Sequence, residues 1–216
     1  MNQFDIPILY INLDRRTDRK EHMENNILKG YNYERISAVE YAPGYVGCTL
    51  SHIKCLERMI ERDLDYCVIL EDDFQWINDN SFENLKIPDF EYDLFLFCND
   101  IKISEPYNED YLRIKSALWT SGHIVSKRIV HQLLDNFREG YEKLIENLHV
   151  ENYRYRCDIY MNKLFNERIV ISLNNMVATQ LDDYSDICKK YIVHSKRNRK
   201  QVHTIKPRLN MRFRRR

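Results

Sequence analysis

The chain has 216 residues, 44% of them hydrophobic and 31% charged, which suits one α/β domain with a sizeable core. Its few glycines and prolines are scattered, so no Gly- or Ser-rich linker divides it. Basic and acidic residues balance at 33 each, but twelve of the lysines and arginines lie beyond Ile187 with no acid among them, leaving a body of net −12 and a tail of +12.

Other whole classes are excluded as well. No run approaches the ~20 apolar residues of a membrane span. The apolar start lacks the basic region and cleavage site of a signal peptide, so the reading is cytoplasmic. Six cysteines without a CxxC pair read as reduced thiols. The absence of GxxxxGK[ST] excludes a P-loop.

The run Ile6–Leu13 predicts a first buried strand that passes directly into Asp14-Arg15-Arg16-Thr17-Asp18-Arg19. Asp14 or Thr17 would cap a helix reaching Ile27, with Arg15 and Arg19 one turn apart on one face. Guanidinium forks match phosphate oxygens, so this suits an anionic ligand; a solvated helix face accounts for the two arginines equally well.

A weaker strand, Tyr33–Val39, leads to a loop over 43–47 and a helix capped by Thr49, with Leu50, Ile53, Leu56 and Ile60 at helical spacing. Cys48, His52 and Cys55 share one flank of that helix. Three ligands on one short helix cannot surround a tetrahedral ion, and the sequence shows no second cluster to complete it, which argues against zinc.

The run Cys67-Val68-Ile69-Leu70 predicts another buried strand, and it stops in Glu71-Asp72-Asp73. Unpaired buried acids cost several kcal/mol, and ligands of α/β sheets bind at the carboxyl ends of strands. If the segment stays extended, Glu71 and Asp73 face one way and Asp72 the other. Two converging carboxylates suit Mg²⁺ or Mn²⁺ together with substrate phosphates.

Leu94–Cys98 is a third strand of this kind, and 101–113 reads as a polar, tyrosine-rich loop. In Thr120-Ser121-Gly122-His123 the glycine would let backbone approach a ligand closely. Ser126 would cap a helix that Gly140 ends, with a further helix over 141–148. Asp158 precedes or caps another, and 168–173 is the last strand. The expected division is a domain over 1–190 and a basic, mostly disordered arm over 191–216. Spacing alone leaves sugar transfer and a metal nuclease near even.

Three segments in order, Ile11–Arg19, Gly47-Cys48-Thr49-Leu50-Ser51-His52 and Leu70-Glu71-Asp72-Asp73, resemble glycosyltransferase family 25, the lipooligosaccharide and collagen β-galactosyltransferases. The resemblance spans roughly residues 6–186. It implies a GT-A-like, Rossmann-like α/β fold with a mixed, mostly parallel sheet flanked by helices. It also implies a UDP-sugar donor, Mn²⁺ (or Mg²⁺), and inverting transfer of a hexose, galactose or glucose, to a hydroxyl of a glycan, lipooligosaccharide or hydroxylysine-type acceptor, as in lipopolysaccharide biosynthesis.

Carried onto this chain, Asp73 with Glu71 or Asp72 takes the metal and diphosphate role. Asn12, Arg15 and Arg19 lie near the nucleotide, Ser51 and His52 line or buttress the site, Gly122 is a further position expected to bind the donor, and Asp158 is the base or acceptor contact. The tail would add peripheral contact with an anionic membrane surface, nucleic acid being less favoured. The alternative is a metal-dependent nucleic-acid enzyme, or an inactive binding protein recruited by the tail.

Overall fold

The computed structural model describes residues 5–148 and 153–194. Its elements, in chain order, are β1 (Ile8–Asn12), α1 (Thr17–His22) continued by a π-helical turn (Met23–Ile27), β2 (Tyr33–Ser37) and α2 (Gly44–Glu61). Then follow β3 (Tyr66–Glu71), β4 (Phe74–Trp76), β5 (Leu94–Pro106), β6 (Tyr111–Ser126) and α3 (Val130–Glu146). The chain closes with α4 (Cys157–Tyr160), β7 (Val170–Leu173), β8 (Ala178–Gln180), β9 (Asp183–Ser185) and β10 (Lys190–Ile192).

A six-stranded sheet runs β2-β1-β3-β6-β5-β7. The pairs β1–β2, β1–β3 and β5–β7 are parallel, while β6 is antiparallel to both β3 and β5, so β6 alone runs against the other five. This is the mixed, mostly parallel α/β sheet expected.

Alternation explains why it is buried on both faces. Leu9, Ile11, Cys67, Ile69, Leu94 and Leu96 join one core with Ile53, Leu56 and Met59 of α2 and Leu133 and Phe137 of α3. Ile8, Tyr10, Val68, Leu70 and Phe95 join the other, with Met23, Ile27 and Leu28 following α1 and with Phe74 of β4. Such two-sided burial is why these strands read as continuous apolar runs. The chain leaves β1 to one side through α1 and returns to the other through α2, so the carboxyl ends of β1 and β3 flank a topological switch point.

Several local expectations change. Neither Asp14 nor Thr17 caps α1, whose N-cap is Arg16. Helix α2 starts at Gly44 after Pro43, and Thr49 lies inside it with its hydroxyl donating to the Tyr45 carbonyl. The region 101–113 is the end of a long β5–β6 hairpin, because Asp100, Ile101 and Ile103 pair with Leu118, Ala117 and Ser116. Gly140 does not end a helix: α3 runs through it, and a Cβ there would sit 3.1 Å from the Tyr155 carbonyl and the Tyr160 ring. The glycine admits the segment that leads into α4.

All six cysteines are free thiols. No helix among the described residues is long and apolar enough to cross a membrane. Residues 191 and 192, placed in the arm by sequence, pair within the β9–β10 hairpin. The rest of the arm from 195 lies outside the described residues.

Candidate active site

A cleft of about 390 Å³ opens at the switch point, bounded by Asn12, Arg15 and Arg19 after β1, by His52 of α2, and by Glu71, Asp72 and Asp73 after β3. Asp186, between β9 and β10, closes its other side.

The three acids have three different surroundings. Glu71 ends β3 and accepts hydrogen bonds from His52 Nε2 (3.0 Å), Thr120 Oγ1 (2.6 Å) and Ser121 Oγ (3.3 Å). Asp72 turns the other way and accepts from Asn12 Nδ2 (2.8 Å) and Arg19 Nη1 (2.9 Å). Asp73 has Gln180 Nε2 at 3.4 Å and Arg19 Nη1 at 3.9 Å from Oδ2, while its Oδ1 is buried with no hydrogen-bond partner. Glu71 and Asp73 therefore share a side, as alternation predicts, although the backbone turns at 72–73 instead of staying extended.

Their acidities diverge accordingly. Burial would raise Glu71, but its hydrogen bonds from His52 and Thr120 outweigh that and hold it below the usual carboxylate range. Burial raises Asp72 despite Arg19 and Asn12. Burial and the charge of Glu71 push Asp73 up to about 7.

The floor is built by an irregularity in β6. Cys98 pairs with Gly122 and Asp100 with Leu118, so three residues on β6 oppose one on β5. Such a bulge re-aims side chains, and here it carries Thr120 and Ser121 onto Glu71. Trp119 takes a left-handed φ of 70°, which a bulky residue adopts only under constraint. Its amide donates to Asp158 Oδ2 at 3.3 Å.

Asp158 is thus in the first turn of α4, not its cap, which is Arg156. It is outside the cleft lining, although its carboxyl, raised by burial, is electrostatically coupled to Glu71 and His52.

Other expected residues are placed as follows. Asn12 is buried and fully engaged, its Oδ1 accepting from Arg35 Nε at 3.0 Å. Ser51 Oγ accepts from the Val39 amide (2.8 Å) and donates to the Gly47 carbonyl (2.7 Å), a tie between α2 and the loop after β2. Gly122 is a correction: a Cβ there would lie 2.8 Å from Cys98 Cβ and 2.9 Å from the Phe74 ring, so the close approach it permits is to core side chains and not to a ligand.

The arginines also differ from expectation. Arg15 precedes α1, so it and Arg19 do not form a helical pair. Arg15 contacts Glu40 (2.6 Å) and Asp186 (2.9 Å) and stays about half exposed. Arg19 is buried, with Asp183 Oδ2 at 3.0 Å from its Nε and the Tyr184 carbonyl at 3.0 Å from its Nη2. Arg16, not singled out by sequence, binds both Asp183 (2.6 Å) and Asp186 (2.8 Å).

Gln180 was missed as well; its Nε2 lies 2.6 Å from Ser121 Oγ and reaches Asp73. A visible signal for these partners was the acidic run Asp182, Asp183 and Asp186 just ahead of a tail without acids.

Against this geometry, the family model described as "Glycosyltransferase family 25 (LPS biosynthesis protein)" matches residues 40–96, which carry α2, β3 and all three acids. A relative from Drosophila pseudoobscura pseudoobscura, "Glycosyltransferase 25 family member", is 29% identical over 166 residues, covering 59% of this chain and 26% of the relative. The chain is therefore similar to members of glycosyltransferase family 25. It spans about a quarter of that curated relative's length.

Two solved structures are also similar. One, "Crystal Structure of A197 from STIV", has a TM-score of 0.46 and 11% identity, over 87% of this chain and 93% of that one. The other, a glycosyltransferase involved in glycosylation of the major capsid of PBCV-1, has a TM-score of 0.44 and 12% identity, over 81% of this chain and 92% of that one. The family 25 match begins only at residue 40, yet Asn12 and Arg19 hydrogen-bond Asp72 within it. The first strand therefore belongs to the same site.

Proposed function

We propose that this chain is a metal-assisted glycosyltransferase that moves a hexose from a UDP-sugar to a hydroxyl acceptor with inversion. The observation that carries the reading is the buried, unpartnered Oδ1 of Asp73 beside Glu71, in a cleft also bounded by Arg15 and Arg19. A hard divalent cation fits that oxygen, because it would keep the Asp73 carboxylate ionised where burial and Glu71 oppose ionisation. Asp73, with Glu71 as the nearest second carboxylate, would hold Mn²⁺ or Mg²⁺, which offsets charge on a departing diphosphate.

The remaining steps belong to the chain's own groups. Arg15 is half exposed and can exchange Asp186 for a phosphate oxygen, since the guanidinium fork matches phosphate as well as carboxylate. Arg19 stays with Asp72 and keeps that acid from competing for the ion. Gln180, Thr120 and Ser121 orient Asp73 and Glu71 through a shared hydrogen-bond chain. By the family resemblance we assign removal of the acceptor proton to Asp158, a buried carboxyl outside the cleft lining that the acceptor must reach by entering beyond it.

The acceptor class in this proposal is a glycan, lipid-linked or protein hydroxyl, with the basic arm bringing the enzyme to an anionic membrane surface.

A screen of UDP and UDP-sugars by thermal shift, with and without Mn²⁺, tests the reading. One UDP-sugar should stabilise the protein only when metal is present, and the same sugar should be transferred or hydrolysed. Equal stabilisation in excess chelator, or no response to any uridine nucleotide, would overturn it.

A further inference from the structure

Cys48, His52 and Cys55 lie on one flank of α2 by spacing, and the fold separates them. Cys55 is fully buried in the core beside Cys67. Cys157, the first residue of α4, takes its place. One potential ligand atom each from Cys48, His52 and Cys157 lie within 4.8 Å of one another. The objection that three ligands on one helix cannot surround an ion thus disappears, because the third comes from a different element.

We propose that Cys48, His52 and Cys157 form a binding site for a soft divalent ion of the zinc type, with its fourth position open to the cleft.

Four observations carry this. First, Nε2 of His52 is engaged by Glu71 at 3.0 Å, which leaves Nδ1 as the nitrogen available to a metal. Second, that Nδ1 is buried without a hydrogen-bond partner in a side chain only 1% exposed, and such an orphaned nitrogen is costly unless something binds it. Third, a histidine that ligates a metal through one nitrogen while giving its other N–H to a carboxylate is the common outer arrangement of protein metal sites, and Glu71 supplies that carboxylate. Fourth, Cys48 and His52 both line the cleft, which provides an entry path and the open position.

Two sulfurs and an imidazole nitrogen select zinc over Mg²⁺ or Mn²⁺, which prefer oxygen. With Zn–S about 2.3 Å, tetrahedral ligand atoms stand about 3.7 Å apart, so side-chain rotation of about an ångström closes the set. Each thiol gives its proton to solvent on binding, and the bonds formed are two metal–sulfur bonds and one metal–nitrogen bond. The ion would clamp α4 to α2 and fix the His52 ring against Glu71. It shares no ligand with the oxygen site at Asp73, to which the His52–Glu71 hydrogen bond connects it, and it does not depend on which sugar is transferred.

The full-length protein, stripped with chelator under reducing conditions and titrated with Co²⁺, tests the proposal. One equivalent should produce a thiolate-to-cobalt charge-transfer band and the intense visible bands of tetrahedral cobalt. Zn²⁺ should erase them and Mn²⁺ should not. Cys48→Ser and Cys157→Ser should each lose the charge-transfer intensity, while Cys188→Ser, an exposed thiol outside the cluster, should keep it.

If a variant fails to fold, alkylation of the natural protein still decides: Zn²⁺ should slow modification of Cys48 and Cys157 at least tenfold. A weak octahedral spectrum alone, a thiolate band that survives in both serine variants, a Cys48–Cys157 disulfide in place of metal, or alkylation indifferent to Zn²⁺ would each overturn it.

Discussion

Arg19 and Asp72 form a buried ion pair, Nη1 to Oδ1 at 2.9 Å with both side chains about one-tenth exposed, and it joins the start of the chain to the acidic turn. Through it one of the three consecutive acids is committed to holding α1 against β3. The other two are left facing the cleft floor.

Removing the cation should therefore destabilise the fold and not merely the site. Arg19→Ala leaves Asp72 as an uncompensated buried charge, which typically costs about 3–5 kcal/mol. Urea denaturation at neutral pH should show a loss of that order, with Asp72→Asn partly rescuing it. A loss below about 1 kcal/mol would show that the pair is not holding the turn.

Asp73 makes a prediction with a defined pH window. Its folded value, raised to about 7 from 3.8, means that the unfolded chain releases this proton first, so the metal-free protein loses stability from this group as pH rises from about 4 to about 7. Asp73→Asn should remove that loss and raise Tm at pH 8 by several degrees, while abolishing both turnover and the response to Mn²⁺. In the unsubstituted protein, Mn²⁺ affinity should climb as pH passes through about 7, because binding needs the ionised carboxylate. Unchanged Mn²⁺ stabilisation in the Asn variant would refute the assignment.

Gly122→Ala separates packing from ligand contact. The added methyl meets Phe74 and Cys98 at under 3 Å, and overpacking of this kind costs about 1–3 kcal/mol. Thermal denaturation should report that loss without any change in donor affinity once the protein is folded. A variant of normal stability that fails to bind donor would restore the ligand role.

The β9–β10 segment covers the cleft by way of Asp186, which is paired with Arg15 and Arg16. Freeing Arg15 from a partly exposed pair is worth about 1 kcal/mol at most, so Asp186→Asn should tighten UDP binding up to about fivefold by calorimetry. Weaker binding would mean that Asp186 supports the arginine's pose and does not compete with the nucleotide.

Much of the fold was legible because its signals are local. The continuous apolar runs of Ile8–Asn12 and Cys67–Leu70 are a property of neighbouring residues, and so is the abrupt change from apolar strand to three acids. The order of the three motifs pointed to the family before any contact was known. The β5–β6 hairpin was not legible, since the outer part of β5 is exposed and largely polar, and only pairing with β6 across the turn makes it a strand.

By itself the sequence determined which strands are buried on both faces, where a ligand would approach the sheet, and that acids and arginines meet there. Tertiary structure alone decided how those charges are divided: Asp72 goes to Arg19, Glu71 to His52, Thr120 and Ser121, and Asp73 is left with an unpaired oxygen. It also brought Cys157 to Cys48 and His52 across more than a hundred residues. The physical reason is that periodicity and strand ends are read from adjacent residues, whereas the partner of a buried charge or thiol depends on which distant side chain the packed helices bring within a few ångströms.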